Sequence, residues 1–233
     1  MPPLHWLYLD DALAVVAKPS GLLVHRGWGD DAVTLTDLAR ADLGDGVSPA
    51  HRLDRGTSGV LVLSRSSEAA ARLGSAFEAG EVEKAYLALV RGSAPDEGLI
   101  DHPIPRREGG PRVPAITAFR TLARVDPGIP EVRCLSLVEA RPRTGRLHQV
   151  RRHLKHIHHP LIGDANYGKG VINRALAASH GLSRLALHAT SLRLRHPITG
   201  EEMVFEAPLP ADLTEPFARL GIAASFPRAP EPA

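Results

Sequence analysis

The apolar runs of this chain are short and are separated by turn-forming residues. Residues 4–9 and 13–17 are divided by Asp10-Asp11-Ala12, and residues 117–125 and 132–139 by Asp126-Pro127-Gly128. Residues 185–194 run through His196-Pro197-Ile198-Thr199-Gly200 into 203–207. Such spacing confines the chain to short strands joined as hairpins. Long helices are scarce. One short helix is predicted over 34–41 with a cap near Thr34, and another opens at Ser66-Ser67-Glu68 and stops at Gly80. In the second, Ala69, Leu73, Ala76 and Phe77 fall on one face, which packs it on a sheet. Residues 82–91 read as a strand with Tyr86, Ala88 and Val90 on one side. Residues 92–114, rich in Pro, Gly and charge, read as a surface loop or irregular hairpin.

A length of 233 residues suffices for one large domain or two small ones with a sizeable core. The hydrophobic fraction of 43% against 23% charged places the chain among ordinary globular proteins rather than disordered ones. Net charge is only +2, so its distribution is what informs. From Arg141 to Pro160 stand six Lys/Arg and five His with no Asp or Glu, a patch that suits either a solvated helix face or a nucleic-acid contact. The one cysteine, Cys134, excludes an internal disulfide and a Cys-based zinc site, and its place in an apolar run makes it a small buried hydrophobe. The start Met1-Pro2-Pro3-Leu4 lacks the pattern of a signal peptide, and no apolar run is long enough to span a membrane. A cytoplasmic location follows by default. His153, His156, His158 and His159 have no acidic residue or cysteine among them, so no metal site is assigned.

Two stretches carry chemistry. In His51-Arg52-Leu53-Asp54-Arg55-Gly56-Thr57-Ser58-Gly59-Val60 an acid stands between two arginines on a loop, followed by the apolar run Val60-Leu61-Val62-Leu63. The run reads as a buried strand that anchors the loop, and the flanking cations keep the carboxylate ionised. By itself this is a structural ion pair as readily as a reactive group. In Arg143-Thr144-Gly145-Arg146-Leu147-His148-Gln149-Val150-Arg151-Arg152-His153-Leu154, Thr144 can cap a helix. Leu147, Val150, Leu154 and Ile157 then form its buried stripe, with Arg146, Gln149 and His153 on another face. Smaller signals are Lys18-Pro19-Ser20-Gly21, a cation and an aromatic in His25-Arg26-Gly27-Trp28, Ala115-Ile116-Thr117, and Leu161-Ile162-Gly163-Asp164 with Tyr167-Gly168.

Taken together these motifs resemble the RluA-type pseudouridine synthases. The first stretch matches every fixed position of that family's His-Arg-Leu-Asp-x-x-Thr-Ser-Gly signature, and the second its Thr-Gly-Arg-x-His-Gln-apolar-Arg motif. Ala17 stands where the family usually has Asn or Asp before Lys-Pro-x-Gly. The resemblance runs from about Leu7 to Pro210. It implies an α/β (α+β) fold, a single catalytic domain over 1–225 with a bent, mostly antiparallel mixed sheet flanked by helices and loops. Residues 226–233 are left as a disordered tail, and no separate N-terminal RNA-binding domain is expected. It implies an isomerase that detaches a uracil from its ribose and re-attaches it through ring carbon 5. No redox change occurs, so no cofactor and no metal are needed. Asp54 is then the catalytic carboxylate, Tyr86 lies against the uracil ring, and Arg146 pairs with Asp54. Arg52, Arg55, His25, Arg26, Trp28, His148, Gln149, Arg151 and Arg152 are the candidate RNA contacts, His148 and Gln149 through holding loop and substrate in place. The 161–168 segment and the His25–Trp28 loop point to the branch that acts on tRNA at acceptor-stem position 65. The implied partner is RNA; no obligate protein partner is assigned, and a monomer is taken by default.

Three other readings are distinguishable. A sister enzyme of the same family would act on ribosomal RNA or another tRNA site. A non-catalytic RNA-binding protein would keep its affinity without Asp54 and form no product. A hydrolase using Asp and His with a metal would be sensitive to chelators.

Overall fold

The fold is described from a computed structural model, for residues 3–26, 33–105 and 109–222. In chain order the elements begin with β1 (His5–Leu9), β2 (Leu13–Lys18), α1 (Leu35–Leu43), β3 (Ser48–Pro49), β4 (Ser58–Ser64) and α2 (Ser67–Ala79). There follow β5 (Glu83–Arg91), β6 (Glu97–Asp101), β7 (Ile104–Pro105), β8 (Arg112–Val113), β9 (Ile116–Val125) and β10 (Leu135–Pro142). The remainder is α3 (Gln149–His156), α4 (Gly170–His180), β11 (Leu187–Arg195), β12 (Glu202–Glu206) and α5 (Ala211–Arg219). The chain falls into two compact units, Met1–Lys84 with Ala189–Pro208, and Ala85–His188 with Leu209–Ala233. The anticipated tail, 226–233, and Trp28 lie outside the described residues.

In the first unit the strand order is β1-β2-β4-β11, with β12 beside β11 and β3 beside β4. The β1–β2, β2–β4, β3–β4 and β11–β12 pairs are antiparallel. All seven residues of β4 are buried, which is why its run Val60-Leu61-Val62-Leu63 is continuously apolar rather than alternating. Val60 and Val62 join Leu13, Val15, Leu73, Leu192, Leu194 and Phe205 in one core. Thr34 caps α1 through a reciprocal pair with Asp37: its Oγ1 accepts from Asp37 N–H at 3.2 Å, and its own N–H donates to Asp37 Oδ2 at 2.9 Å. Ser66 caps α2, and Gly80 ends it in the left-handed region at φ 77°.

In the second unit the order is β5-β10-β9-β6, the three pairs all antiparallel. Period two gives β5 two working faces. Ala88 and Val90, with Val138 and Ala140, pack on Val150 and Leu154 of α3. Leu87 and Leu89, with Leu135 and Leu137, pack on Leu176 of α4 and Leu213 and Phe217 of α5.

Several expectations are corrected here. The surface loop or irregular hairpin expected over 92–114 does hold a small hairpin, β7 with β8, but it also contains an unexpected edge strand, β6, paired with β9. Gly98 lies under the Phe119 ring, where a Cβ would come within 2.7 Å, so the strand carries little apolar pattern of its own. Sequence reasoning assigns no helix to α4 or α5, and Pro216 inside α5 masks its pattern. Cys134 stands before β10 rather than within a strand and is only half buried. Finally, α3 starts at Gln149, not after Thr144, because His148 takes the left-handed region at φ 54° and interrupts the helix.

Candidate active site

In the first unit, Asp54 is half buried on the loop between β3 and β4. Its carbonyl accepts the Thr57 N–H at 3.0 Å, which closes a turn over Arg55 and Gly56. The turn is held from the Lys-Pro-Ser-Gly loop. Lys18, 1% exposed, donates its ammonium to the carbonyls of Pro19 (2.7 Å), Leu22 (2.6 Å) and Arg55 (3.2 Å). Gly21 N–H donates to Arg55 O at 2.8 Å, Arg55 Nε returns to Gly21 O at 3.0 Å, and Ser20 Oγ donates to Gly56 O at 2.9 Å. A buried ammonium is tolerated because three carbonyls replace its water.

The other side of the loop is held by His51. Val62 N–H on β4 donates to His51 Nε2 at 3.1 Å, so that nitrogen carries no proton. The ring packs on Phe77 at 4.9 Å, and Lys84 Nζ lies 5.9 Å from the same Phe77 ring. Burial, followed by the Lys84 charge, pushes the imidazole down to about 3. Gly59, at φ 119°, meets the β11 backbone so closely that a Cβ would fall 2.1 Å from Ala189 O. The glycine of Thr-Ser-Gly is therefore required by packing. Thr57 Oγ1 is the buried side-chain oxygen among the described residues with no hydrogen-bond partner. Arg52 and Arg55 are exposed, as are His25 and Arg26, and Arg26 Nη2 stands 3.7 Å from Asp37.

In the second unit, Tyr86 is half buried on β5 opposite Ala140, beside the Ala88–Val90 core. Arg146 is half buried in the loop before α3, with Nε donating to Pro114 O at 3.3 Å. Its backbone is set by Gln149. The Gln149 amide is fully bonded: Oε1 accepts from Arg146 N–H (2.9 Å) and Thr144 Oγ1 (2.8 Å), and Nε2 donates to Ile116 O (2.9 Å) and Thr117 Oγ1 (3.0 Å). Thr144, expected to cap a helix, thus spends its hydroxyl on Gln149 and accepts the Ile116 N–H at 3.2 Å.

Arg151, expected among the RNA contacts, is corrected by this packing, while the bonds of Gln149 are of the loop-holding kind expected of it. Arg151 and Gln149 are buried, and each is committed within the unit. Arg151 grips Asp164 with two bonds, Nε to Oδ2 at 2.7 Å and Nη2 to Oδ1 at 2.9 Å. Burial pushes the Asp164 carboxyl up, but the bonds and charge of Arg151 and the N–H groups of Tyr167 and Asn166 outweigh it and leave it below the usual range. His148 and Arg152 remain half buried and meet at Tyr167, whose hydroxyl lies 3.1 Å from His148 Nδ1 and accepts from Arg152 Nε at 2.8 Å. Sequence reasoning gave Tyr167 no role. The signal was its place in the Gly-Asp-x-x-Tyr-Gly segment, where Gly163 could not carry a Cβ, 1.8 Å from Arg184 O.

The four clustered histidines have separate employments. His153 is buried against β9, His159 Nδ1 bonds Arg91 O at 2.9 Å, His156 stacks on His102 at 3.7 Å, and His158 occupies a left-handed turn at φ 67°. Among the described residues no group of three or more His, Cys, Asp or Glu could hold a metal ion, and no helix is long and apolar enough to cross a membrane.

Comparison with known proteins agrees with the motifs. A family model described as RNA pseudouridylate synthase matches residues 12–156. The chain is 42% identical over 219 residues to tRNA pseudouridine synthase C of Salmonella typhimurium, covering 87% of this chain and 84% of that one. It is 39% identical over 219 residues to the protein of the same name from Vibrio cholerae, covering 87% and 90%. Among solved structures, Human RNA Pseudouridylate Synthase Domain Containing 1 superposes with a TM-score of 0.73 at 28% identity, over 91% of this chain and 89% of that one.

Proposed function

The chain belongs to the RNA pseudouridylate synthase family, whose members are isomerases, and we propose that its substrate is a uridine of tRNA, at acceptor-stem position 65. The name shared by the Salmonella and Vibrio relatives supports the tRNA assignment. The observation that carries the chemistry is the Asp54 loop: a half-buried carboxylate on a turn tied down by Lys18, Ser20, Gly21 and His51. A reactive group held this way is aimed before substrate arrives.

The reaction is an isomerisation in which atoms balance within the nucleotide. The bond from the anomeric carbon to ring nitrogen 1 breaks, a bond to ring carbon 5 forms, the proton on carbon 5 leaves, and nitrogen 1 gains one. Asp54 supplies the carboxylate, as nucleophile at the anomeric carbon or as base toward the ribose 2′ proton. Tyr86 lies against the ring, and Arg146 supports the carboxylate chemistry of Asp54. The target base must leave its stack at a cost of about a few kcal/mol. Cations that meet phosphates offset this, and Arg52, Arg55, Arg26 and Arg152 are proposed for that work, with His25 a further RNA contact and His148 holding loop and substrate in place. Binding then weakens with salt.

The test uses unmodified tRNA transcripts tritiated at uracil carbon 5, with sequencing of the product. Tritium release at the acceptor-stem uridine, lost in Asp54→Asn, is expected. Release from ribosomal RNA alone would move the substrate elsewhere in the family. RNA affinity with no release from either RNA would make the protein a non-catalytic binder.

A further inference from the structure

Gln149 is one link of a longer chain of hydrogen bonds whose proton positions can be worked out. Arg146 N–H can only donate, so the Gln149 oxygen faces it and the Gln149 nitrogen faces Thr117. Thr117 Oγ1 therefore accepts from Gln149. His153 Nε2 lies 2.9 Å from the His102 carbonyl, which can only accept, so Nε2 carries a proton. His153 Nδ1 lies 2.8 Å from Thr117 Oγ1. With a neutral ring, Thr117 gives its hydroxyl proton to Nδ1 and every polar atom in the chain is served. With a charged ring, Thr117 Oγ1 must accept from both Nδ1–H and Gln149, and its own hydroxyl proton loses its acceptor. Thr117 and His153 are each 0% exposed and Gln149 is 5% exposed, so bulk water does not reach that orphaned proton.

We propose that His153, acting through Thr117 and Gln149, is a positioning residue that holds the Arg146 loop in its working shape, and that it does so only as the neutral imidazole. The proposal rests on Arg146 taking part in the reaction as read above. The groups facing His153 are His102 on the connection after β6, Asp101 at the end of β6, and His156 on the next turn of α3, with Arg112 Nη1 3.1 Å from the His102 ring. Burial, then the neighbouring His102 and His156, hold the ring below the ordinary imidazole value, while the His102 carbonyl and Asp101 act the other way. The neutral form is thus the working one at neutral pH.

The test measures kcat and KM for tritium release in Thr117→Val, Arg146→Ala, their double variant and His153→Gln, with thermal melts to establish folding. Thr117→Val keeps the shape and removes the hydroxyl, and it is expected to lower kcat about 10- to 100-fold with KM little changed, as misplacement of a reacting group does. Thr117→Ser restores the rate. In the Arg146→Ala background Thr117→Val should cost nothing more, because the residue being positioned is gone. Wild-type kcat should fall as pH drops below the imidazole range, and His153→Gln, which can still accept from Thr117 and donate to His102 O, should move that fall to lower pH, leaving only the limb set by protonation of the Asp54 carboxylate. If Arg146→Ala keeps full kcat, both the Arg146 reading and this proposal fall. If Arg146→Ala is impaired while Thr117→Val is fully active, or the two losses multiply, the proposal alone is overturned. An acid limb unchanged in His153→Gln also overturns it.

Discussion

Arg151 and Asp164 form a two-point ion pair inside the second unit, with side chains 8% and 0% exposed and bonds of 2.7 and 2.9 Å. The carboxylate also accepts the N–H groups of Asn166 and Tyr167 at 2.9 and 3.0 Å. The pair therefore fastens α3 to the 163–168 turn. Removing one partner leaves a buried charge without compensation. Asp164→Ala is expected to lower unfolding free energy by about 3–5 kcal/mol. Urea denaturation followed by circular dichroism measures this, and a loss under about 1 kcal/mol would mean the pair is solvated.

The same carboxyl and His51 give stability a pH dependence whose sign can be worked out. Asp164 is held below its unfolded value, so its contribution is present above the ordinary carboxylate range and is lost as pH falls through the folded value. His51 is held down to about 3 against 6.5, so between those values the unfolded chain binds more protons than the folded one. Both effects make stability rise with pH, His51 across about pH 3 to 6.5. Chemical denaturation at a series of pH values checks the slope. Imidazole NMR checks the cause: His51 should show no titration from pH 5 to 8, and a midpoint near 6.5 would remove its acceptor role toward Val62.

Thr57 offers a stability change in the opposite direction. Its hydroxyl is buried without a partner, so Thr57→Val removes a desolvated group while keeping the volume. Unfolding free energy is expected to rise by about 1 kcal/mol, read as an increase in Tm. A fall in Tm would show that the hydroxyl is bonded in solution.

Gly59→Ala should do the reverse. A Cβ there meets backbone atoms of Ala189 at 2.1 to 2.7 Å, and backbone cannot swing aside as a flexible side chain can. About 1–3 kcal/mol of destabilisation is expected, with a matching loss of activity because β4 anchors the Asp54 loop. A variant as stable as the parent would show that β4 and β11 can separate without cost.

Much of the local structure could be read in the residues. Thr34, Ser66 and Gly80 mark helix ends because caps are made by neighbours in sequence. Asp10 to Ala12 and His196 to Gly200 mark hairpins for the same reason. What escaped was set by distant partners. His148, in the left-handed region, delays α3 to Gln149, and the half-turn before it takes its shape from Ile116 and Thr117 on β9, with Thr144 of the same loop. β6 was missed because its pairing with β9 and Gly98 under Phe119 supply what its own pattern lacks.

Motif and period, which are properties of neighbouring residues, determined the family, the α/β class and the choice of Asp54, Tyr86 and Arg146 as candidates. Tertiary structure alone decided which cations of the 141–160 run face solvent. Charge in a sequence does not say what it is paired with, and Arg151 finds its carboxylate thirteen residues on, in a turn that only folding brings to it. It also decided that Gln149 and His153, which share a helix face on any reading of spacing, turn that face inward. Thr117 supplies the buried polar partner that makes such burial affordable.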